Sequence, residues 1–566
     1  MSDALAGVDR LAERYWQAVL EADPLQATAV GERGHDHRLP DISPSGQAAA
    51  TRRFQEIQAE AARATPDPSD PEQELTLAAL RHSAEAALAF LHADAHAYTV
   101  DATWGLHSRV LSVSSYQPLN DPADGRAMLA RWAAIAPMLD EMAVALRRGL
   151  GDGRAPIRTS AERVVDQLTE LLDAPDAEGP LLAPLKSPRG TGWTEEEWHR
   201  FAAELEGVVA ETVRPALATY RTFVADEVLP QARGDEVAGI GNLPGGLRVY
   251  RALVKAHSTT AMEPEEIHVL GMQEVERIDA ETAELGSRVI GSGSLREVQA
   301  AMRGDPALHF ETADQIEAVA VGSLERAQAA TSSWFGRLPV TPCEVARMLP
   351  HEEKHSTIAY YREPAADGSR PGRYYVNTWQ PDTRPRYDAE ALAFHEAVPG
   401  HHLQGAIAQE LTQLPTFRRH SYLTAYVEGW GLYAERLADE MSIYTGDLDR
   451  LGMLSFDSWR ACRLVVDTGL HAMGWSREQA IAFMTDHSVL ATNNIVNEVD
   501  RYLGRPGQAL AYKIGQLEIL RLRAEAEERL GPAFDVRRFH DALLAHGPLP
   551  LTTLSGSMAA ELPSRE

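Results

Sequence analysis

Apolar residues recur three and four positions apart over most of the chain, which is the spacing of one face of an α-helix. The clearest runs are Leu77–Leu91, Ala127–Leu150, Trp198–Val228 and Pro264–Leu285, and they are rich in Ala, Leu, Glu and Arg, which favour helices. Clusters of Gly, Pro and Asp separate the runs. A further helical stretch extends from residue 388 to about residue 530. The pattern therefore predicts an all-α, predominantly helical fold.

One region is typical of β-structure instead. Ser356–Tyr361 and Gly372–Trp379 are rich in β-branched and aromatic residues and are joined by a turn rich in Pro, Asp, Gly and Ser. They predict a small β-hairpin next to the segment that carries the candidate chemistry. An exposed edge of this hairpin could pair with an extended peptide, with Tyr375 and Asn377 contacting the substrate. Alternatively, the hairpin simply covers a site.

Length and charge narrow the class of protein. The chain has 566 residues, and 54 basic against 82 acidic side chains give a net charge of −28. An acidic excess of this size argues against nucleic acid or an anionic membrane as a partner. The hydrophobic fraction of 44% is that of a globular protein with a large core. We expect one helical domain over residues 1–566, which could divide into an N-terminal subdomain 1–255 and a second subdomain 256–566.

The chain has no sequence signals for disulfides or membrane insertion. Its two cysteines, Cys343 and Cys462, are too few for a disulfide framework and too isolated for a zinc knuckle. The N-terminal residues lack a basic region followed by an apolar stretch, and no run of about 18 apolar residues occurs. These features predict a soluble, cytoplasmic protein.

The first candidate site lies in the segment Phe394–Gln404, where His395 and Glu396 precede Pro399 and Gly400. Helical zinc sites often use His-Glu-x-x-His, because residues four apart share a helix face. Here proline occupies the position of the second histidine, and proline and glycine together predict a break in the helix. After such a break, His401 or His402 could return to the face of His395. Paired histidines are also common on protein surfaces.

A second helix, around Glu428, supplies the missing carboxylate. Glu428 lies among apolar and aromatic residues and is followed by Gly429 and Gly431, which suggests close approach of another backbone or a ligand. A buried, ionised Glu needs a partner, and a divalent cation is one of the few adequate ones. The alternative is a salt bridge to one of three nearby arginines: Arg418, Arg419 or Arg436. Glu435 lies on the same face and is expected to support the site.

Two histidines and a glutamate form the ligand set of hydrolytic zinc sites, which leave a fourth position for water. We therefore expect His395, His401 and Glu428 to bind one Zn²⁺ per chain, with His402 either replacing His401 as a ligand or binding the substrate. Glu396 would act as the general base.

The pattern His-Glu-x-x-Pro-Gly-His-His-Leu-Gln, followed by Glu-Gly-Trp-x-Leu-Tyr-Ala-Glu, resembles the bacterial family known as domain of unknown function 885. The likeness extends along nearly the whole chain. It implies a zinc-metallopeptidase-like protein, related in architecture to the helical carboxypeptidases and oligopeptidases of the gluzincin type. It also implies an elongated body with a deep central groove, suited to short peptides or a small amide metabolite.

Three polar residues further along the chain, Arg463, Asp467 and His471, are spaced four apart and share one helix face. His471 could donate to the developing oxyanion while Asp467 holds its tautomer and Arg463 anchors Asp467. The alternative is an ordinary surface salt bridge, which contributes only a few tenths of a kcal/mol.

Further along the chain, two cationic residues are direct sequence neighbours of tyrosines. Arg501 and Lys513 could hold a substrate carboxylate, and Tyr502 or Tyr512 could stabilise the tetrahedral oxygen. A Tyr-Lys pair on a helix is also compatible with simple packing.

Together these features predict a zinc-dependent hydrolase of peptide or amide bonds, with His471, Tyr512 or Arg501 receiving the oxyanion. One alternative is non-hydrolytic chemistry at the same metal, such as elimination or isomerisation. The other is a non-catalytic binding protein, against which the intact ligand set argues. A homodimer is compatible with the sequence.

Overall fold

The computed structural model describes residues 7–175, 179–186, 189–348, 353, 357–364 and 370–562. Within these ranges the chain is mainly helical, as the periodicity predicted. In chain order, the α-helices are α1 (Gly7–Ala22), α2 (Pro24–Ala29), α3 (Pro44–Arg63), α4 (Pro71–Ala93), α5 (Leu106–Val113), α6 (Pro122–Ala133), α7 (Ile135–Gly151), α8 (Arg158–Asp173), α9 (Glu195–Val208), α10 (Arg214–Phe223), α11 (Gly246–Ser258), α12 (Pro264–Val289), α13 (Leu295–Gly304), α14 (Ala313–Thr331), α15 (Ala389–Glu396), α16 (His401–Glu410), α17 (Thr416–His420), α18 (Thr424–Glu440), α19 (Asp447–Ala472), α20 (Arg477–His487), α21 (Thr492–Gly504), α22 (Ala511–Leu530), α23 (Val536–Leu544) and α24 (Leu551–Glu561).

Local capping explains where several of these helices begin. Asp70 and Asp121 each precede a proline, and their carboxylates accept hydrogen bonds from N–H groups in the first turns of α4 and α6. Proline suits this position because its fixed φ angle matches the helix and its missing N–H would have no helical partner. Thr194 and Glu197 form a reciprocal capping box at the start of α9.

The apolar faces of the helices build three cores. One is formed within residues 25–229 by α5 to α10 and their connections. Another is centred on α12, α19, α20 and α21. The largest joins α1, α3 and α4 to the sheet, the helices α14 to α18 and the C-terminal helices. Because this largest core uses residues from both ends of the chain, N-terminal helices support the segment that carries the candidate site.

A three-stranded sheet replaces the predicted hairpin. Its strands are β1 (Cys343–Arg347), β2 (Ala359–Arg362) and β3 (Gly372–Val376), in the order β1-β3-β2. β2 and β3 pair antiparallel, as expected, but β1 was not predicted and pairs parallel with the other side of β3. β3 is therefore the central strand. Both sides of β3 are paired, so an extended peptide could not add to the strand that carries Tyr375.

Two further features bear on the predictions. No described helix combines the length and the apolar character that crossing a membrane requires. Both cysteines are buried and free. His351 and His355, whose sequence surroundings favour surface positions, lie outside the described residues.

Candidate metal centre

The predicted interruption separates α15 from α16. α15 ends at Glu396 and α16 begins at His401, and a Cβ atom on Gly400 would lie 1.9 Å from the carbonyl oxygen of His395. Only glycine therefore allows the chain to fold back this closely. The result is that the rings of His395 and His401 lie 4.6 Å apart, at an angle of 81°.

α18 packs closely against this turn. The indole N–H of Trp430 donates to the carbonyl oxygens of Pro399 and Gly400, at 2.9 and 3.2 Å. A Cβ on Gly431 would lie 2.7 Å from Cε1 of His395, so this glycine makes room for the imidazole. A Cβ on Gly429 would lie 2.5 Å from the backbone of Gly515 in α22. The close approach that the two helical glycines predicted is confirmed.

Three ligand atoms converge where these helices meet. Nε2 of His395 lies 3.6 Å from Oε2 of Glu428, and Nε2 of His401 lies 3.5 Å from the same oxygen. All three atoms lie within 4.8 Å of one another. Bonds of about 2.0–2.1 Å to a tetrahedral Zn²⁺ place neighbouring ligand atoms about 3.4 Å apart. The donors are thus spaced as a shared cation requires.

The charges around this triad favour a cation. Burial alone would raise the pKa of Glu428, but the neighbouring imidazoles of His395 and His401 hold it well below its usual value. Burial likewise would lower the pKa of His395, but its hydrogen bonds to Glu428 and Glu435 raise it to about 9. The alternative that Glu428 pairs with an arginine is not what the structure shows, because its carboxylate faces the two histidines.

Glu435 fixes the orientation of the His395 ring through a hydrogen bond with its Nδ1. Nδ1–H of His395 donates to Oε1 of Glu435 at 2.8 Å, so Nε2 is left facing Glu428. Glu435 is fully buried, and Arg460 lies 3.5 Å from the same oxygen. Metal-binding histidines are commonly held this way, by a carboxylate that fixes the tautomer and the ring direction.

Two phenols lie near Glu428, and one of them contacts its second carboxylate oxygen. The Tyr422 hydroxyl donates to Oε1 of Glu428 at 2.5 Å, although the residue is 58% exposed. Burial, followed by the charge of Glu428, raises the pKa of Tyr512, so this phenol lies near the same carboxylate. Tyr512, which the sequence predicted, thus lies near the site, and so does Tyr422, which it did not predict. Nothing in the local sequence marks it, because it lies just before α18.

Glu396 is the last residue of α15 and follows a metal-ligand candidate directly. Burial, followed by the charge of Glu396, raises the pKa of Tyr374 well above its ordinary value, so the Glu396 carboxylate lies near β3. No hydrogen bond ties this carboxylate to another described residue.

His402 does not belong to the triad. The Tyr361 hydroxyl donates to its Nδ1 at 2.9 Å, and its Nε2–H donates to the carbonyl oxygen of Thr341 at 3.1 Å. Because both ring nitrogens are engaged, the predictions that His402 replaces His401 as a ligand or binds substrate are wrong. It connects α16 to the sheet and to the loop before β1.

The predicted relay on α19 is also wrong. Nδ1 of His471 accepts from the backbone N–H of Ile240 at 3.0 Å, and its Nε2–H donates to the carbonyl oxygen of Tyr502 at 3.1 Å. Asp467 instead accepts from the hydroxyl of Tyr250 at 2.6 Å. The three residues share a helix face, as their spacing predicted, but His471 has no nitrogen left for an oxyanion.

The two predicted substrate-binding cations are paired within the protein. Nζ of Lys513 lies 2.7 Å from Oδ1 of Asp457 and 3.1 Å from Oε2 of Glu274, and Lys513 is fully buried. Arg501 donates to Oε2 of Glu498 at 2.9 Å. Neither is available for a substrate carboxylate, so this part of the prediction is wrong.

On the sheet, the Asn377 amide donates to the carbonyl oxygens of Glu353 and Thr357, at 2.7 and 2.9 Å, which contradicts a role in substrate binding. The ring of Tyr375 stacks on that of Tyr360, 4.9 Å away.

Comparison with known proteins gives the fold a context. A structure of a candidate lipoprotein from Colwellia psychrerythraea superposes with a TM-score of 0.90, at 26% sequence identity, over 99% of this chain and 100% of that one. A candidate lipoprotein of unknown function from Shewanella oneidensis superposes with a TM-score of 0.71, at 18% identity, over 98% and 100% of the chains. No curated protein matches the sequence. A family model described as "Bacterial protein of unknown function (DUF885)" matches residues 24–558, so the chain belongs to this family.

Proposed function

We propose that this protein is a zinc-dependent hydrolase of peptide or amide bonds. The observation that supports it best is the convergence of His395 Nε2, His401 Nε2 and Glu428 Oε2, with Glu435 holding the first imidazole. Two histidines and one carboxylate are the ligand set of many catalytic zinc sites, which leave one position open for water or substrate.

The surrounding residues suit hydrolysis. A bound zinc ion would polarise the scissile carbonyl and lower the pKa of a water molecule. Glu396 takes the proton of the attacking water and then delivers it to the leaving amine. The Tyr422 hydroxyl already donates its hydrogen bond to Glu428, whereas Tyr512, which lies near the same carboxylate, can donate a hydrogen bond to the oxygen that becomes negative in the transition state.

Substrate size follows from the position of the triad. His395 and Glu428 are 3% and 6% exposed, and His401 is partly buried, so only a narrow molecule can reach the ligands. We therefore propose short peptides or small amides as substrates, bound in a groove that leads to the triad from the side of Tyr422.

The test compares Glu396→Gln with the wild type and with Glu276→Gln, an exposed glutamate on α12. Zinc is measured by elemental analysis, and hydrolysis is followed with a mixture of short peptides and acyl amides. We expect about one zinc per chain in all three proteins and loss of hydrolysis in Glu396→Gln alone. General bases typically contribute 10²–10⁴-fold to the rate, so the loss should be large. A wild type that binds zinc but cleaves no amide would contradict the proposal and favour non-hydrolytic chemistry.

A further inference from the structure

Three described cations near the candidate metal centre have carboxylate partners. Arg463 and Arg501 both bind Glu498, with shortest distances of 3.0 and 2.9 Å. Lys513 binds Asp457 at 2.7 Å. In a chain with 82 acidic residues, such pairing is easily achieved. The internal partners leave these side chains little capacity to bind another anion.

Arg505 is different. It follows the last turn of α21, four residues after Arg501, and is only partly exposed. Its guanidinium carbon lies 5.0 Å from the centre of the Trp104 ring, which is a cation–π contact. Within the described ranges of the chain, no carboxylate lies within 4.0 Å of its guanidinium, and its side chain donates no hydrogen bond.

The local structure holds this pair in place. Oδ1 of Asp101 accepts the backbone N–H groups of Thr103 and Trp104, at 2.7 and 3.0 Å, which fixes the loop that presents the indole. A Cβ on Gly504 would lie 2.3 Å from Oδ2 of Asp101, so the end of α21 approaches this loop closely. Trp104 remains 47% exposed and forms an aromatic surface beside the guanidinium.

Arg505 also lies near the metal centre. Burial, followed by repulsion from Arg501, lowers the pKa of Arg505, whereas the phenols of Tyr512 and Tyr422 and the carboxylate of Asp101 act in the opposite direction. The geometry agrees: Arg501, one helical turn before Arg505, shares Glu498 with Arg463, and the Arg463 guanidinium lies 4.2 Å from the centre of the Tyr512 ring. Tyr422, whose hydroxyl donates to Glu428, connects this region to the triad. An unpaired, partly buried cation is costly, and a bound anion would offset that cost.

We propose that Arg505 binds a carboxylate of the substrate, with Trp104 as the adjoining aromatic surface. This inference rests on the proposed function and specifies it: the substrates are peptides or amides that carry a free carboxylate close to the scissile bond. The planar guanidinium can bind a carboxylate through two parallel hydrogen bonds, which an ammonium group cannot do. This is the role that the sequence predicted for Arg501 and Lys513.

The test measures binding without turnover. Isothermal titration calorimetry compares 3-phenylpropionate with 3-phenylpropionamide on the zinc-loaded wild type and on three variants. Two of these are Arg505→Gln and Arg505→Lys. The third is the control Arg200→Gln, an exposed arginine on α9. We expect the acid to bind at least about tenfold more tightly than the amide to the wild type and to Arg200→Gln. Arg505→Gln should lose this preference, and Arg505→Lys should keep part of it.

Two outcomes overturn the inference: equal or undetectable binding of the two probes by the wild type, or an acid preference that survives in Arg505→Gln. The second would assign the carboxylate to the metal. Failure of the proposed function looks different. A protein that prefers the acid through Arg505 but hydrolyses nothing would contradict only the hydrolase. One that cleaves peptides without this preference would contradict only the role of Arg505.

Discussion

Two buried histidines in the same helical body, His395 and His471, are held in opposite ways. His471 is 1% exposed, and backbone groups of Ile240 and Tyr502 occupy both of its ring nitrogens. His395 is 3% exposed, but only its Nδ1 is held, by Glu435, and its Nε2 faces Glu428 and His401. Burial is therefore no guide to function here. What separates the two residues is a nitrogen that remains directed at other ligand atoms.

The pKa values of the two histidines are also shifted in opposite directions. Burial lowers the pKa of His471 to about 3, so this ring is neutral in the folded protein. Burial opposes protonation of His395 as well, but Glu428 and Glu435 outweigh it and raise its pKa to about 9. Two carboxylates directed at one imidazole create a site that favours positive charge. A divalent cation would supply that charge more completely than a proton.

The largest expected effect comes from removing each ring in turn. His395→Ala should abolish zinc binding, because it removes one of three protein ligands. His471→Ala should retain about one zinc per chain but lose about 2–4 kcal/mol of the free energy of unfolding, since it leaves a cavity and two unpaired backbone groups. Elemental analysis measures the metal, and urea unfolding measures stability. Zinc retained by a folded His395→Ala variant would refute the proposed triad.

The second-largest expected effect concerns Glu435, the carboxylate that holds the His395 ring. Glu435→Gln should weaken zinc binding about 10–100-fold, because the neutral amide holds the His395 ring less firmly and adds no charge. Competition with a chelator gives the affinity. Glu390→Gln is a matched control: Glu390 is also buried and lies on α15, but it binds Arg326 and Thr445 rather than a ligand. Equal zinc affinity in the two variants would contradict a supporting role for Glu435.

The comparison also explains which features the sequence could predict. The helical body, the interruption at Pro399 and Gly400 and the close packing at Gly429 and Gly431 follow from residues that are neighbours along the chain or from the intrinsic properties of proline and glycine. Spacing therefore predicted which residues share a face and which segments bend.

Partners across the fold could not be predicted in this way. The N–H that binds His471 belongs to Ile240, which is 231 positions away, and the carboxylate that binds Lys513 belongs to Asp457, 56 positions away. Strand β1 was missed because its pairing with β3 depends on a contact between distant segments. Buried polar groups must find partners somewhere, but a single sequence does not say where.

The smallest expected effect is a difference in how His471 and His395 change the free energy of unfolding with pH. The folded-state pKa of His471 lies below its unfolded value of about 6.5, so the unfolded chain binds the extra proton and stability falls as the pH drops below 6.5. This amounts to about 2 kcal/mol at pH 5. In the metal-free protein the folded-state pKa of His395 is raised instead, so its stabilisation is complete below pH 6.5 and is lost between pH 6.5 and 9.

Urea unfolding of the metal-free protein from pH 5 to pH 9 should therefore separate the two histidines. His471→Gln should reduce the loss of stability on the acid side, although His257 and His402, whose pKa values burial also lowers, will leave part of it. His395→Gln should flatten the curve on the alkaline side only. The exposed control His199→Gln should reproduce the wild-type curve at every pH. If His395→Gln and His471→Gln altered the same pH range, the opposite charge states of the two rings would be disproved.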